Sequence, residues 1–451
     1  MTMTQQPPSV DSVRDALAAC SSDALELEVY GSDVDAKALP STGIRRRATR
    51  RGRPDPVQRA SLYLNRHGVL EWHFAQAIPP QAIRGRRAAA TEEGEIPDGE
   101  LVDVFEYETL DANSVGAFLD KADARLNDRL KNAERMYRLS RPGPGAIPAA
   151  AAITAPLKGK KRRLLIVHGT FSKSGALLEG MGNAPGADAF FTWMFNTYDE
   201  VLAFEHPTLA VSPVLNALDL RRALAGIDGP LDIVAHSRGG LVTRWAVEAF
   251  GLPASQVRAM LVGSPLGGTS LASPPRLRAT LGLLTNFGTA LKAAGGLASA
   301  YVPFLVAPLA ILKVATSVIG AVGKTPLIDG TIAMIPGLAG QSRVSNNPEL
   351  TRLADLSSGG AAKYFVVASD FEPDSPGWKF WKWFKGKRIA DAVTDKIFPG
   401  KNDLVVDTDS MTEIPDGVTR RRDFGTNALV HHTNYFEQQK TLDFIRECFG
   451  G

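Results

Sequence analysis

The chain has 451 residues, 44% of them hydrophobic, which is long enough for one large globular domain and a smaller one. A formal net charge of only +3 argues against a dedicated nucleic-acid binder. The two cysteines, Cys20 and Cys448, lie near opposite ends of the chain and argue against a disulfide framework. The first ten residues lack the basic and apolar regions of a secretory signal, so we expect a cytoplasmic protein.

The first third of the sequence predicts a small separate unit. Residues 1–22 are polar and are expected to be loose, and residues 23–141 are expected to form a β-rich unit of unknown role. Its predicted elements are strands at 26–30 and 101–107, a hairpin at 61–74 and a long charged helix over about 112–138. A linker rich in Pro, Gly and Ala is expected over 142–157, ahead of the main domain at 158–451.

Six arginines stand within the nine residues 45–53. Phosphate groups of a lipid or a nucleic acid would bind such a cluster. A solvated loop between strands explains the run as well, and we favour the loop because most runs of like charge lie in solvent.

The main domain carries its most informative pattern at 231–245, L-D-I-V-A-H-S-R-G-G-L-V-T-R-W. A β-branched run predicts a buried strand that ends in a tight turn at Ser237, and residues 241–250 predict an amphipathic helix directly after it. Ala235 and Gly239, two positions to either side of the serine, are small, as a sharp strand-to-helix turn requires. The pattern indicates a nucleophile elbow, in which strained backbone angles project a serine hydroxyl above a sheet.

Other motifs accompany the elbow in a characteristic order. Together with A-H-S-R-G-G at 235–240 they are V-H-G-T-F at 167–171, G-S-P-L-G-G-T at 263–269, N-D-L-V-V at 402–406 and H-T-N-Y-F at 432–436. From about Lys160 onward the chain therefore resembles α/β-hydrolases of the lipase and esterase kind, including bacterial triacylglycerol lipases and GPI-inositol-deacylase-like serine hydrolases. The resemblance implies an α/β fold with a mostly parallel central sheet, helices on both faces and no cofactor. The sequence departs from it at Ala235, where glycine is usual, and at Leu404, where lipases usually show N-D-G.

The resemblance assigns an oxyanion hole to two backbone N–H groups, those of Thr170 and Arg238. Gly169 would let the main chain approach the serine closely. On this interpretation the side chains of Thr170 and Arg238 are incidental. The alternative is an ordinary strand and turn with no further role.

In this superfamily the acid and then the base follow the nucleophile along the chain. Asp403 stands where related lipases place the acid, and His432 begins the H-T-N-Y-F run that precedes a predicted last helix. The alternatives are Asp407, Asp409 and Asp370 for the acid and His431 for the base. His168 and His236 flank the oxyanion strand and the nucleophile, so neither is expected to act as the base.

An apolar insertion lies between about 270 and 340 and is centred on 301–323. It predicts a mobile lid over the site, a buried cap or a membrane span. Two prolines and the central Lys313 argue against the span, and we favour the lid.

A second insertion, G-W-K-F-W-K-W-F-K-G-K-R at 377–388, alternates aromatic residues with cations. Such a segment settles at a lipid headgroup boundary, so Trp378, Trp381, Trp383 and the neighbouring lysines are expected to form a transient membrane contact. A surface helix whose tryptophans pack on the body of the protein is an equal alternative. The first interpretation predicts a cytoplasmic protein that is peripheral at a membrane.

These motifs predict a serine ester hydrolase that acts on a lipidic carboxylic ester through a covalent acyl-enzyme. Ser237 would attack, His432 would act as the base and Asp403 would orient it. No P-loop or H-E-x-x-H is present in the sequence, so no metal and no nucleotide cofactor is expected. The alternatives are acyl transfer to an acceptor other than water, and a non-catalytic interaction protein that retained the fold.

Overall fold

The chain forms two compact units in the computed structural model. The residues that the structure describes are 9–20, 28–29, 57–75, 99–108, 110, 114–253, 255–272, 277–296, 298–322, 334–343, 347–356, 362–373, 378, 380–381, 397–398, 400–415 and 417–450. The larger unit comprises Asp123–Ser273, Ile335–Pro373 and Phe398–Gly451, and the smaller unit comprises Met1–Ala122, Pro274–Met334 and Asp374–Ile397. The arginine-rich run at 45–53 lies outside the described residues.

Strands and helices are numbered in chain order. The strands are β1 (Glu28–Val29), β2 (Val57–Asn65), β3 (Leu70–Ala75), β4 (Gly99–Glu108), β5 (Met136–Leu139), β6 (Ala150–Ala152), β7 (Arg163–Val167), β8 (Glu200–Phe204), β9 (Leu231–His236), β10 (Val257–Val262), β11 (Lys363–Phe371) and β12 (Arg420–Asn427). The helices are α1 (Val10–Cys20), α2 (Ser114–Leu126), α3 (Ser174–Asn183), α4 (Ala187–Thr197), α5 (Pro213–Ala223), α6 (Gly239–Arg244), α7 (Leu277–Ala293), α8 (Ala298–Val322), α9 (Pro336–Ala339), α10 (Pro348–Leu356) and α11 (Gln439–Phe449).

The larger unit is built on a mixed sheet of eight strands in the order β12-β11-β10-β9-β7-β8-β5-β6. The six strands from β12 to β8 are parallel, and β5 pairs antiparallel with both β8 and β6. The predicted α/β fold with a mostly parallel central sheet is thus confirmed. Because the chain runs from β7 to β8 on one side and then to β9 on the other, the strand order reverses between β7 and β9, where open α/β sheets bind their ligands.

Helices cover both faces of this sheet. Leu164 and Ile166 of β7 lie in a core formed with α3, α4 and α11, whereas Leu165 and Val167 lie in a second core formed with α5 and α6. Since parallel strands are buried on both faces, they appear in the sequence as continuous apolar runs rather than as alternating patterns. All five residues of β7 are buried.

The smaller unit contains an antiparallel sheet in the order β1-β4-β2-β3. The β2–β3 turn lies at Asn65 to Gly68, where Asn65 Oδ1 accepts the N–H of Val69 at 3.0 Å and Gly68 has a φ of +76°. Asparagine and glycine favour such a turn because the amide side chain mimics a backbone acceptor and glycine tolerates positive φ.

Helix α7 of the apolar insertion is hydrogen-bonded to β3 of this sheet. The N–H of Leu70 donates to Asn286 Oδ1 at 3.0 Å, and Asn286 Nδ2 donates to the Leu70 carbonyl at 2.9 Å. Trp72 Nε1 donates to Thr285 Oγ1 at 3.0 Å. The insertion and the N-terminal sheet are therefore parts of one folded unit, although more than 200 residues separate them in sequence.

The aromatic insertion contributes buried side chains to the smaller unit. Trp378 and Trp381 are 9% and 1% exposed, and Trp378 packs against Phe287 of α7 with ring centroids 5.8 Å apart. Both side chains are therefore buried in this unit. Trp383 lies outside the described residues. Within the described parts of the chain, no helix has both the length and the apolarity of a membrane span.

Two local predictions need correction. The helix predicted over 112–138 ends at Leu126, because Asn127 adopts an extended conformation and its side chain caps the short 3₁₀ helix Asp128–Lys131. The segment predicted as a linker at 142–157 contains β6, which pairs with β5 at the edge of the large sheet. The large sheet therefore begins upstream of residue 158.

We predict that Asn286→Ala destabilises the smaller unit by about 1–3 kcal/mol, because it leaves the buried N–H and C=O of Leu70 without their partner. Hydrogen exchange read on peptides from β3 would show faster exchange in the variant. The control is Asn183→Ala, an exposed asparagine at the end of α3. Equal protection of β3 in wild type and Asn286→Ala would contradict the prediction.

Candidate active site

Ser237 lies at the sharp turn between β9 and α6. Its φ is +52°, a left-handed conformation that costs a non-glycine residue about 1–3 kcal/mol and persists only where the surroundings enforce it. Here the Ser237 N–H donates to the carbonyl of Val262, at the end of β10, at 2.9 Å. The predicted elbow is therefore a strand–turn–helix at the carboxyl end of a central strand.

Close approach explains the small residues around the serine. A Cβ at Gly169 would lie 2.5 Å from Ser237 Cβ, and one at Gly239 would lie 2.6 Å from the carbonyl oxygens of Val167 and His168. No side chain fits at either position without moving the backbone. Ala235, in the position where glycine is usual in the resembled motif, is fully buried within β9.

Three predicted residues form one hydrogen-bonded series. His432 Nε2 lies 2.9 Å from Ser237 Oγ, and His432 Nδ1 lies 2.8 Å from Asp403 Oδ2. The side chains are nearly inaccessible, with Ser237 3%, His432 4% and Asp403 0% exposed. Because the carboxylate accepts the Nδ1 proton, Nε2 carries the lone pair that can accept the serine proton.

The Asp403 carboxylate is held on both oxygens. Oδ1 accepts the N–H groups of Val405 and Val406 at 3.1 and 2.8 Å, and Oδ2 also accepts the Tyr435 hydroxyl at 3.0 Å. Leu404 has a φ of +86°, which explains why glycine is usual in the resembled N-D-G motif. The leucine adopts the left-handed conformation all the same, so the departure leaves the carboxylate in contact with His432.

The other candidate acids have partners of their own. Asp407, Asp409 and Asp370 contact neither the His431 nor the His432 side chain in the described part of the chain. Their partners include the N–H and hydroxyl of Ser270 for Asp407, Arg343 for Asp409, and the hydroxyl of Thr426 and the N–H of Asn402 for Asp370.

His431 contacts residues other than the serine. Its Nδ1 lies 3.1 Å from Thr433 Oγ1, and its ring makes an edge contact with Phe371. Burial lowers the pKa of His431 to about 3, so the imidazole is neutral at ordinary pH. His236 donates from Nε2 to the His432 carbonyl at 2.9 Å, and burial lowers its pKa well below the ordinary value as well.

The N–H groups assigned to the oxyanion hole flank the serine. Arg238 follows Ser237 directly, and Thr170 follows Gly169, which contacts Ser237. Neither N–H donates a hydrogen bond to any described residue. An oxyanion hole would need two such amides beside the nucleophile.

Tyr435 is a site residue that sequence reasoning missed. It belongs to the H-T-N-Y-F run, but nothing in the sequence indicates that its hydroxyl reaches Asp403. Burial, reinforced by the charge of Asp403, raises the pKa of Tyr435 well above its ordinary value, so the phenol remains a hydrogen-bond donor.

Chemically, the arrangement can remove a proton from a serine hydroxyl and return it to a leaving group. Among the described residues, no group of three or more His, Cys, Asp or Glu side chains could hold a metal ion.

Comparison with known proteins gives a family and several distant structural likenesses. A family model described as "Domain of unknown function (DUF7379)" matches residues 133–450. The mature lipase BlEst2 of Bacillus licheniformis is 15% identical over 68% of this chain and 99% of that chain, with a TM-score of 0.38. Lipase 1 of Pelosinus fermentans is 13% identical over 65% of this chain and 98% of that chain, with a TM-score of 0.40. No curated protein matches the chain.

We predict that His431 makes the larger unit sensitive to acid. Between pH 6.5 and about 3 the unfolded chain binds a proton at this histidine and the folded chain does not. The free energy of unfolding should therefore fall as the pH falls through this range, by up to about 1.4 kcal/mol per pH unit for this site. Urea unfolding at several pH values should show a shallower dependence for His431→Gln than for wild type.

Phe371→Leu is the control, because it weakens the packing around His431 without removing the imidazole. It should lower stability at every pH and leave the slope unchanged. Equal slopes in wild type and His431→Gln would contradict the prediction.

Proposed function

The chain belongs to the family described as "Domain of unknown function (DUF7379)", a description that assigns no function. We propose that the protein is a serine hydrolase that cleaves carboxylic esters. One observation carries the proposal. His432 is hydrogen-bonded to Ser237 through one ring nitrogen and to Asp403 through the other, and Ser237 lies at the end of a central parallel strand. Each group is buried, and the serine conformation is strained. A protein with only a scaffolding role would gain no stability from this strain.

In the proposed reaction, Ser237 Oγ attacks the ester carbonyl carbon while its proton passes to His432 Nε2. The carbonyl oxygen becomes an oxyanion that accepts hydrogen bonds from the Thr170 and Arg238 N–H groups. The bond to the alcohol then breaks, and His432 gives its proton to the departing oxygen. Water attacks the acyl-serine in the same way, and the acid and free Ser237 are released.

Asp403 has the role of orienting the imidazole and stabilising its charged form. Its own position is defined by two backbone amides and the Tyr435 hydroxyl, which also spread the negative charge. This is a carboxylate that receives donors on both oxygens, so it can hold one histidine tautomer without moving.

We extend the proposal to lipidic esters because of the apolar sequence of the 301–323 insertion, which is typical of lipase lids. An ester series of increasing acyl length, tested dissolved and in vesicles, would measure the preference. Equal turnover of short, soluble esters would limit the function to esterase activity. Product analysis with added alcohols would show whether the acyl group also passes to an acceptor other than water.

We predict that a fluorophosphonate probe labels wild type at Ser237, and that Ser237→Ala and His432→Ala lose the label. The serine is the proposed nucleophile, and without the imidazole its hydroxyl is a weak one. Mass spectrometry of the labelled protein would locate the adduct. Ser140→Ala, at an exposed serine, is the control and should label as wild type does. A wild type that neither labels nor hydrolyses any ester would overturn the proposal.

We predict that the candidate acids differ sharply on substitution. Asp403→Asn should lower kcat by about 10⁴-fold, because the amide favours the wrong histidine tautomer. Asp407→Asn should stay within about tenfold of wild type, since Asp407 bonds Ser270 rather than a histidine. Steady-state kinetics on one soluble ester would decide between the two. A larger loss in Asp407→Asn than in Asp403→Asn would reverse the assignment.

A further inference from the structure

We propose that the partly buried loop Thr208–Val211 fixes both oxyanion donors and that Asp123 holds this loop in place. Asp123 and Thr208 would then be positioning residues for the tetrahedral intermediate, as would the side chain of Arg238. The inference rests on the proposed function and deepens it, because it concerns how the same site stabilises charge.

Asp123, in the last turns of α2, anchors the loop. Its carboxylate is 2% exposed and accepts the N–H groups of Thr208, Leu209 and Ala210 at 2.8, 2.9 and 2.9 Å. It also accepts the Thr208 hydroxyl at 3.0 Å. A buried carboxylate is costly unless it is fully hydrogen-bonded, so these four donors and this anion hold each other in one geometry.

The loop reaches the first oxyanion donor through Thr208. The N–H of Phe171 donates to Thr208 Oγ1 at 3.2 Å. Phe171 follows Thr170 and has a φ of +56°, a left-handed conformation that needs external support in a phenylalanine. On its other side, the Thr170 hydroxyl accepts a hydrogen bond from Gln341 Nε2 at 2.9 Å. Thr170 is therefore restrained both through its side chain and through the next amide.

The loop reaches the second donor through Val211. Arg238 Nη2 donates to the Val211 carbonyl, and the guanidinium is fully buried. Arg238 Nε and Nη1 have no acceptor among the described residues. Burial lowers the pKa of Arg238 to about 10, against the opposing attraction of Asp123 and Glu349. The side chain that makes this contact belongs to the residue whose N–H is the second donor.

One short loop therefore contacts Phe171, which follows the first proposed donor Thr170, and Arg238, whose N–H is the second. Oxyanion stabilisation depends on donors that are already aimed where charge develops, and loss of one donor costs about 10²–10³ in kcat. A displaced loop would misdirect these amides without removing them. The expected signature is a loss of transition-state binding with little change in substrate binding.

The test compares Thr208→Val with Thr208→Ser. Valine keeps the volume of threonine but leaves the Phe171 N–H unpaired, whereas serine keeps the hydroxyl. We expect Thr208→Val to lower kcat by about tenfold or more with KM within about twofold of wild type. Its affinity for an alkyl boronate, which forms a tetrahedral adduct on serine, should fall by the same factor. Thr208→Ser should recover both values.

Arg238→Met tests the other end of the loop. It removes a buried and incompletely hydrogen-bonded cation, a change that proteins often accept without losing stability, so this variant should fold. It should also weaken boronate binding and lower kcat while KM changes little.

The control is Tyr198→Phe. This variant also removes a buried hydroxyl from a carboxylate, that of Asp232, at 2.7 Å, but at the opposite ends of the strands. It should lower stability and leave kcat and boronate affinity unchanged. The positioning role is overturned if folded Thr208→Val and Arg238→Met keep kcat and boronate affinity within about twofold of wild type. It is also overturned if Tyr198→Phe loses as much kcat and boronate affinity as these two variants do.

The proposed function is judged separately on wild type. Labelling and ester turnover at Ser237 in wild type uphold the hydrolase whatever the variants do. If wild type shows neither, the positioning role falls with the proposed function.

Discussion

The close contact between two turns is the constraint on which the site depends. Gly169 follows β7 and Ser237 follows β9, and the two strands are parallel neighbours, so both turns emerge at the same edge of the sheet. Gly169 has no Cβ, and none would fit against Ser237. This contact puts the residue that precedes Thr170 against Ser237, so strand pairing brings the two turns together.

Two buried carboxylates, Asp403 and Asp123, organise the rest of the site, and neither forms a direct ion pair with a lysine or arginine among the residues that the structure describes. Asp403 receives two amides, a phenol and an imidazole, and Asp123 receives three amides and a hydroxyl. Multiple donors fix a carboxylate in direction as well as in place, which a single flexible cation does not. The same dry interior keeps His236 and His431 neutral and links stability to pH.

The smaller unit shows how a folded unit can arise from separate segments. Asn286 and Thr285 lie in the apolar insertion, and their partners Leu70 and Trp72 lie in the N-terminal sheet. Trp378 of the aromatic insertion packs against Phe287 of the same helix, α7. Trp378 and Trp381 are buried in this unit, and a run of aromatics and cations is compatible with burial as well as with a membrane surface.

By itself the sequence determined the strand–turn–helix at Ser237, the parallel α/β class and the chain order of the candidate acid and base. These follow from local patterns: a buried apolar run, small residues at a sharp turn, and short motifs whose spacing constrains the backbone. Only the tertiary structure shows that Asp403 rather than Asp407, and His432 rather than His431, is hydrogen-bonded in series with Ser237, because this depends on which side chain crosses a gap of about 3 Å. It alone revealed Tyr435, Asp123 and Thr208, since contacts between residues distant in the chain leave no local pattern. The hydrogen-bond partner of a side chain is determined by packing in three dimensions, whereas the tendency of a segment to form a strand or a turn depends largely on its own residues.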